Sequence, residues 1–311
     1  MHLKDHLSLL LLAALWGASF LFLRQAAPVV GPVIVATVRT LGGALVLLPL
    51  LMLRQSAPRP LSVLKQQGWT LAGVALTSTL LPFLFLSQAA LSLSAGLMSI
   101  LNASTPLWGA AIGWVWTREP LGRRRLLGLA TGFAGVVLLS AERLHGGHAS
   151  GLAILFVLLA TFCYALSVHT IQRKLHGVPS LTITTLTLGI TGMALLLPAC
   201  LGGLPATAGA GHDLSLTVWI ALGGLAVLCT GFAYDLFNRL IARVGASRAI
   251  SVTFLIPVFG MLWGTLFLGE TVSASMLLGT AVILAGTLLS NQGAVPVSRT
   301  ARPIHFEEET R

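Results

Sequence analysis

The sequence predicts an all-α integral membrane protein whose ten transmembrane helices form two inverted five-helix repeats. Three observations lead to this fold class: a very apolar composition, ten apolar windows and a long internal repeat. Of the 311 residues, 55% are hydrophobic and 9% are charged, with a mean hydropathy of +0.89. A soluble domain carries roughly 25% charged residues, so this composition argues against a soluble globular protein.

Ten apolar windows of about 20 residues predict the membrane spans, because a helix of that length crosses the hydrocarbon core. The alternating segments of about ten residues that are typical of barrel strands are absent from the sequence, which favours helices. The windows fall at residues 7–25, 32–53, 68–91, 95–117, 122–140, 150–172, 180–200, 216–240, 246–268 and 272–290. The polar tail, residues 293–311, is expected to be cytoplasmic and without a fold of its own.

The distribution of Lys and Arg predicts the orientation of the chain. If the N-terminus is cytoplasmic, fifteen of these residues lie in cytoplasmic segments, and only Arg24 and Arg143 lie on the opposite side. Because positive residues accumulate in cytoplasmic loops, we expect both termini in the cytoplasm and a multi-pass protein of the cytoplasmic (inner) membrane. The net charge of +10 then reflects loops that face the anionic inner leaflet, and no nucleic-acid partner is expected.

Residues 95–138 recur without gaps as residues 246–289. The matched pairs include Ala95 with Ala246, Pro106 with Pro257, Gly113 with Gly264, Glu119 with Glu270, Gly128 with Gly279 and Gly135 with Gly286. The chain is therefore predicted to be a duplication, divided into residues 1–145 and 146–292. Because each copy holds an odd number of spans, the second copy enters the membrane from the opposite side. Such inverted repeats are typical of secondary transporters, which bind substrate near the midplane between the copies.

Four short stretches are similar to a known family. They are Leu15–Phe20 in the first span, Thr37–Arg39 in the second, Asn102–Pro106 in the fourth and Gly264–Glu270 at the end of the ninth. The sequence resembles the drug/metabolite transporter (DMT) superfamily, in particular its EamA-type exporters with two EamA repeats. This resemblance implies a central cavity lined mainly by spans 1, 3, 4, 6, 8 and 9, and the export of small metabolites such as amino acids.

Two pairs of an aromatic and a hydroxyl residue lie at matching positions in spans 1 and 6. Trp16 and Ser19 are three residues apart, as are Tyr164 and Ser167, so each pair shares one helix face. From both halves, such pairs could offer a substrate a ring for stacking and a hydroxyl for hydrogen bonding. The alternative is that the serines permit close helix contact and that Trp16 faces lipid.

Ionisable residues inside spans are costly and usually face protein or water. Arg39 lies about 10 Å inside span 2, at 1.5 Å per residue; it could attract a substrate carboxylate, or it could bond carbonyls in a structural role. Asp235 and Arg239 are four residues apart in span 8, a spacing that suits an ion pair. Asp235 is the candidate for proton coupling, and the alternative is a purely structural pair.

Other polar and aromatic side chains near mid-depth complete the predicted substrate-binding set; they are Ser78, Phe83, Asn102, Tyr234 and Phe254. Phe83 and Tyr234 are partners in the register of the repeat. Pro106 and Pro257 each remove a backbone donor and kink their helix, which frees carbonyls near residues 102 and 253. The alternative is an architectural kink in which Ser104 and Thr105 cap those carbonyls.

Glu119 and Glu270 end helices at matched positions of the two copies. A helix C-terminus disfavours a negative charge, so we expect another group to hold each carboxylate. Candidates are the N-terminus of the following helix and, for Glu119, the side chain of Arg123. Both glutamates are therefore predicted to have a structural role in fixing the turn.

The predicted function is export of small metabolites, with amino acids as the expected class. Uptake or facilitated diffusion by the same fold is the alternative, because inverted repeats do not specify direction. A membrane-embedded enzyme is a remote alternative, since the spans contain no HExxH motif, no paired acids and no Ser/His/Asp set. We expect no catalytic residue, metal or cofactor, because the three cysteines are scattered and no GxxxxGK[ST] motif is present.

Overall fold

The computed structural model describes residues 2–53, 60–117, 122–145, 150–202, 214–245 and 249–291. Throughout these ranges the regular secondary structure is helical, and no strand occurs in them. In chain order the helices are α1 (Leu3–Val30), α2 (Pro32–Leu53), α3 (Pro60–Ala89), α4 in two segments (Ala95–Asn102 and Thr105–Thr117), α5 (Arg123–His145), α6 (Gly151–Lys174), α7 (Ser180–Gly202), α8 (Leu216–Val244), α9 (Ile256–Leu268) and α10 (Ala274–Asn291).

Seven helices of the described chain, α1 to α3 and α5 to α8, are long and apolar enough to cross a membrane. The last two, α9 and α10, are shorter apolar helices, and α4 is interrupted at Ala103 and Ser104. The prediction of an all-helical integral membrane protein is therefore confirmed. Two predicted spans differ from the helices found: the helix at 95–117 is broken, and at 246–268 a 3₁₀ turn precedes the shorter helix Ile256–Leu268. The predicted span 272–290 is met by the helix Ala274–Asn291. The tail and the loop around residues 203–213 lie outside the described residues.

Prolines explain where the broken helices restart. Pro106 and Pro257 are each the second residue of a helical segment, with Pro257 following a 3₁₀ turn at Ile250–Phe254. Proline suits the first turn of a helix, where its missing N–H costs no hydrogen bond. At the break in α4, the Thr105 hydroxyl donates to the Asn102 carbonyl at 2.8 Å. The predicted kinks are thus complete interruptions, and the carbonyl exposed at residue 102 is capped.

Two π-helical segments interrupt α3 and α8 at matched positions. They span Leu76–Leu80 and Gly224–Phe232, and a shift of 151 residues carries the first into the second. A π segment inserts an extra residue into a helical turn and often marks a functional region. Each π segment here contains a threonine, Thr79 or Thr230, whose hydroxyl bonds a side chain of a neighbouring helix.

The helix packing repeats when each helix of the first half is exchanged for its counterpart five helices later. α1 packs on α9 as α6 packs on α4, and α1 packs on α8 as α6 packs on α3. In the same way α2 contacts α8 as α7 contacts α3, while the pairs α2–α7 and α5–α10 map onto themselves. The two halves therefore interleave, and neither forms a core of its own.

Glycines let the self-paired and crossing helices approach closely. In the α1–α9 contact, a Cβ at Gly17 would meet Phe259 and the backbone of Gly260. In the α5–α10 contact, a Cβ at Gly286 would overlap the backbone of Gly132. Such backbone contact is typical of small residues between membrane helices. The opposite faces of α5 and α10 expose leucines such as Leu138 and Leu277, as a surface in lipid requires.

Candidate functional site

Arg39 is the buried charge around which the candidate site is built. It lies in α2 with 6% of its surface exposed, and its Nε donates to the Thr230 hydroxyl of α8 at 3.0 Å. Its guanidinium carbon lies 3.9 Å from the centre of the Phe83 ring of α3, which is a cation–π contact. Among the described residues, no carboxylate forms an ion pair with Arg39. One positive charge is therefore held between both halves of the protein without a counter-charge from the described residues.

Thr230 is a site residue that the sequence did not predict. The equivalent residue in the first repeat is Thr79, whose hydroxyl lies 2.6 Å from the Thr191 hydroxyl of α7. Each threonine thus joins a π segment to the helix that packs on it. The available signal was the register itself, since Thr230 matches Thr79 at the same offset that relates Phe83 to Tyr234.

Aromatic side chains from α1, α6 and α8 surround the Arg39 centre. Trp16 makes edge-to-face contacts with Tyr234, at 5.9 Å between ring centres, and with Phe237 at 5.1 Å. Tyr164 packs, like Tyr234, against the apolar cluster that contains Phe83. The structure thus brings five predicted residues together: Trp16, Arg39, Phe83, Tyr164 and Tyr234. Phe237 was not predicted, because its position in α8 is revealed only by its contact with α1.

The predicted hydroxyl partners of the aromatic pairs have other contacts. Ser167 is buried and donates to the Tyr164 carbonyl of its own helix at 2.8 Å, which matches the alternative of close helix packing. Ser19 is also buried and lies next to the Cys229 thiol of α8. Ser167 therefore bonds the backbone of its own helix, whereas the buried Ser19 hydroxyl makes no hydrogen bond of standard geometry with the described residues.

Three other predicted residues lie apart from the Arg39 contacts. Ser78 is half-buried in the first π segment, and no described residue forms a hydrogen bond with its side chain. The amide oxygen of Asn102 is enclosed by protein at the α4 break and has no hydrogen-bond partner among the described residues. Phe254 ends the 3₁₀ turn before α9 and contacts no aromatic ring in the described part of the chain. Residue numbers predict how deep along each helix these residues lie, near its middle, but they do not predict which way around the helix axis the side chains point.

The ion pair predicted in α8 is present. Arg239 Nε lies 2.7 Å from Asp235 Oδ2, with the carboxylate side chain 7% exposed and the arginine 57% exposed. A second ion pair, absent from the prediction, joins Asp5 of α1 to Arg243 of α8 at 3.6 Å. Asp5 is buried although it lies only two residues into its helix. The Asp235–Arg239 pair lies within α8, and the Asp5–Arg243 pair links the same end of α8 to α1.

Glu270 caps the N-terminus of α4. Its Oε1 accepts from the Ala95 N–H at 2.8 Å and its Oε2 from the Gly96 N–H at 3.2 Å. Arg24 of α1 lies 3.9 Å from Oε1. Gly269 makes this possible, because its left-handed conformation, with φ of 64°, turns the chain from α9 towards α4.

A helix N-terminus does hold Glu270, but it belongs to α4 and not, as expected, to the following helix α10. The contact links segments 175 residues apart, so adjacency in the sequence pointed to the wrong helix. Glu119 lies outside the described residues. Within the described chain, no three His, Cys, Asp or Glu side chains come together as metal ligands, and the cysteines are free thiols.

Comparison with known proteins gives the family. The model of the EamA-like transporter family matches the chain twice, at residues 4–141 and 151–292. One solved crystal structure of a protein, 16% identical in sequence, has a TM-score of 0.61 over 94% of this chain and 98% of that chain. The fold is therefore shared with that structure.

Curated relatives cover nearly the whole chain. An "Uncharacterized transporter YvbV" of Bacillus subtilis is 27% identical over 93% of this chain and 92% of its own length. A "Probable amino-acid metabolite efflux pump" of Salmonella typhimurium is 28% identical over 96% of this chain and 98% of its own length. A protein of the same name from Escherichia coli is 25% identical over 92% of this chain and 94% of its own. With both repeats matched, the chain belongs to the EamA-like transporter family, within the drug/metabolite transporter superfamily.

Proposed function

We propose that this transporter exports small metabolites, with amino acids as the substrate class, across the cytoplasmic membrane by alternating access. The observation that carries the proposal is the cluster around Arg39, which takes side chains from α1, α2, α3, α6 and α8 and so depends on both repeats. The names of the Salmonella and Escherichia coli relatives support the direction and the class of substrate.

The proposed architecture is ten spans in two inverted repeats, residues 1–145 and 146–292, with both termini in the cytoplasm. Its supports are the interleaved packing, the matched π segments and the fifteen-to-two distribution of positive residues. In such a fold, rocking of one half against the other exposes a central site to either side in turn.

The substrate site proposed within this fold consists chiefly of Trp16, Arg39, Phe83, Tyr164 and Tyr234. Ser19, Ser78, Asn102, Ser167 and Phe254 are proposed as its outer members. Asp235 is proposed to carry a coupling proton, because it is a buried carboxylate inside a long apolar helix and such groups often serve as proton relays.

The test is efflux from proteoliposomes loaded with labelled amino acids, with and without a pH gradient. We expect at least one amino acid to leave faster than it leaves protein-free liposomes, and a gradient to accelerate that efflux. Equal fluxes in both directions, with no response to any gradient, would indicate facilitated diffusion instead. If no amino acid of the panel crosses, the proposed substrate class is wrong.

A further inference from the structure

We propose that Arg39, Tyr164 and Tyr234 form a binding site for a carboxylate, and that the substrates are amphipathic carboxylates recognised without their ammonium group. This inference rests on the proposed function and narrows it. It predicts which part of an amino acid the protein reads, and it extends the substrate class to the corresponding acids that lack an amino group.

The guanidinium of Arg39 has N–H donors that no described residue uses. Its Nε bonds Thr230, and the described residues offer no hydrogen-bond partner to Nη1 or Nη2. Neither atom is among the polar atoms that the protein fully encloses. A guanidinium presents two parallel N–H groups that match the two oxygens of a carboxylate. Because Thr230 and Phe83 fix the guanidinium from the other side, its free edge is oriented for such a ligand.

The two tyrosines supply neutral donors in the same cluster. They are the only tyrosines of the chain, and both pack against the apolar cluster that contains Phe83, the ring that Arg39 contacts. Neither phenol hydroxyl makes a hydrogen bond within the described part of the protein, and neither is fully enclosed by it. Buried polar groups normally find partners. Unpaired donors of three side chains that cluster around Phe83 therefore indicate an anionic ligand that accepts from them.

The walls of the site suit an apolar body, and its described residues offer no unengaged carboxylate to an ammonium group. Trp16 is half-buried against Tyr234 and Phe237, and Phe83 lies under the guanidinium. Asp235, the described carboxylate next to Tyr234 in the chain, is engaged by Arg239 at 2.7 Å. Among the described side chains of the site, an ammonium group would therefore meet aromatic faces, a weaker contact than an ion pair in a desolvated site. Because the site offers a positive guanidinium and its described residues offer no unengaged negative group, we expect it to recognise the carboxylate of the substrate.

The test measures binding to the full-length protein in detergent, by ligand-dependent thermal stabilisation. Two matched series are used: phenylalanine, 3-phenylpropanoate and phenylalaninamide, then leucine, 4-methylpentanoate and leucinamide. We expect the amino acid and the deaminated acid to bind with similar affinity in at least one series. The amide should bind at least about tenfold more weakly, because a hydrogen bond to a charged group contributes about 1.5–3 kcal/mol.

Variants locate the binding. Tyr164→Phe and Tyr234→Phe remove one hydroxyl each with little change in shape, and each should weaken carboxylate binding about tenfold. Arg39→Lys should weaken it further, because lysine keeps the charge but loses the paired donors. Thr79→Val is the matched control: it deletes a buried hydroxyl at the equivalent place in the other repeat, and should leave the affinity unchanged.

Several results would overturn the site. They are no binding of any carboxylate in either series, equal binding of acid and amide, or unchanged affinity in both tyrosine variants. Failure of the export proposal is distinguishable from these. If carboxylates bind as expected but proteoliposomes release no amino acid, the site stands and the export proposal falls. If an amino acid is exported with the same KM by wild type and both tyrosine variants, export stands and this site falls.

Discussion

Replacing Glu270 with glutamine should loosen the contact between the α9–α10 turn and α4. The carboxylate accepts from two backbone N–H groups at the start of α4, at 2.8 and 3.2 Å. Glutamine keeps one acceptor oxygen, but its amide group places a donor opposite the second N–H. It also removes the negative charge that a helix N-terminus favours. The side chain is only 15% exposed, so water compensates little.

The expected loss is about 2 kcal/mol, from one hydrogen bond to a charged group and the interaction with the helix dipole. For a chain of 311 residues, a loss of that size corresponds to a shift of about 3 °C in the unfolding temperature. The assay is thermal unfolding of the purified protein in detergent, followed by tryptophan fluorescence. Glu142→Gln is the matched control, because Glu142 is an exposed glutamate of α5 and its loss should shift the temperature very little.

A second variant tests the same contact without removing the charge. A Cβ at Gly264 would collide with Glu270 Oε2, so Gly264→Ala should push the carboxylate off the α4 N-terminus. Each single variant should lower the unfolding temperature. The double variant should unfold only slightly below the less stable single variant, because both substitutions break the same contact. The structural role is refuted if Glu270→Gln unfolds at the wild-type temperature yet abolishes transport.

Three further predictions concern helix contacts and coupling. Gly286→Ala should destabilise the protein by at least about 2 kcal/mol, because the added Cβ would overlap the backbone of Gly132. The control, Gly189→Ala, adds a Cβ where no atom lies within 4 Å and should leave the stability unchanged. Thermal unfolding of the two variants compares them. Thr230→Val should weaken carboxylate binding about tenfold, since Arg39 Nε loses its acceptor and the guanidinium loses its orientation; binding isotherms of the same ligands check this. Asp235→Asn should keep substrate efflux but remove its dependence on a pH gradient; equal gradient dependence in wild type and variant proteoliposomes would assign Asp235 a structural role only.

Sequence reasoning located the centre of the candidate site because two kinds of pattern agreed there. Arg39 is a charge inside an apolar span, and Tyr234 is the register partner of Phe83. Trp16 and Tyr164 lie at matching depths of equivalent helices. In a membrane helix, depth follows directly from residue number, so an interleaved repeat brings residues of equal depth to one level.

What the sequence could not give was direction around the helix axis and contact between distant segments. Ser78 and Phe83 lie in the same helix, but the π segment alters the rotation between them and only Phe83 reaches Arg39. The sequence pointed to the wrong helix as the partner of Glu270, because the contact joins distant segments: the helix start that Glu270 binds lies 175 residues away in the chain. The break in α4 was underestimated, since a proline can either kink a helix or begin a new one.

The two threonines of the π segments occupy the same place in the two repeats, yet they meet unlike partners. Thr79 meets the neutral Thr191, whereas Thr230 meets Arg39. A gene duplication begins with two identical halves, and here only one of them carries the permanent charge at this place. The two copies therefore have the same helix arrangement at this place but different side chains: one threonine meets a neutral hydroxyl and the other a charged guanidinium. An engineer who wished to alter the ligand could change one repeat and leave the mechanical symmetry of the pair intact.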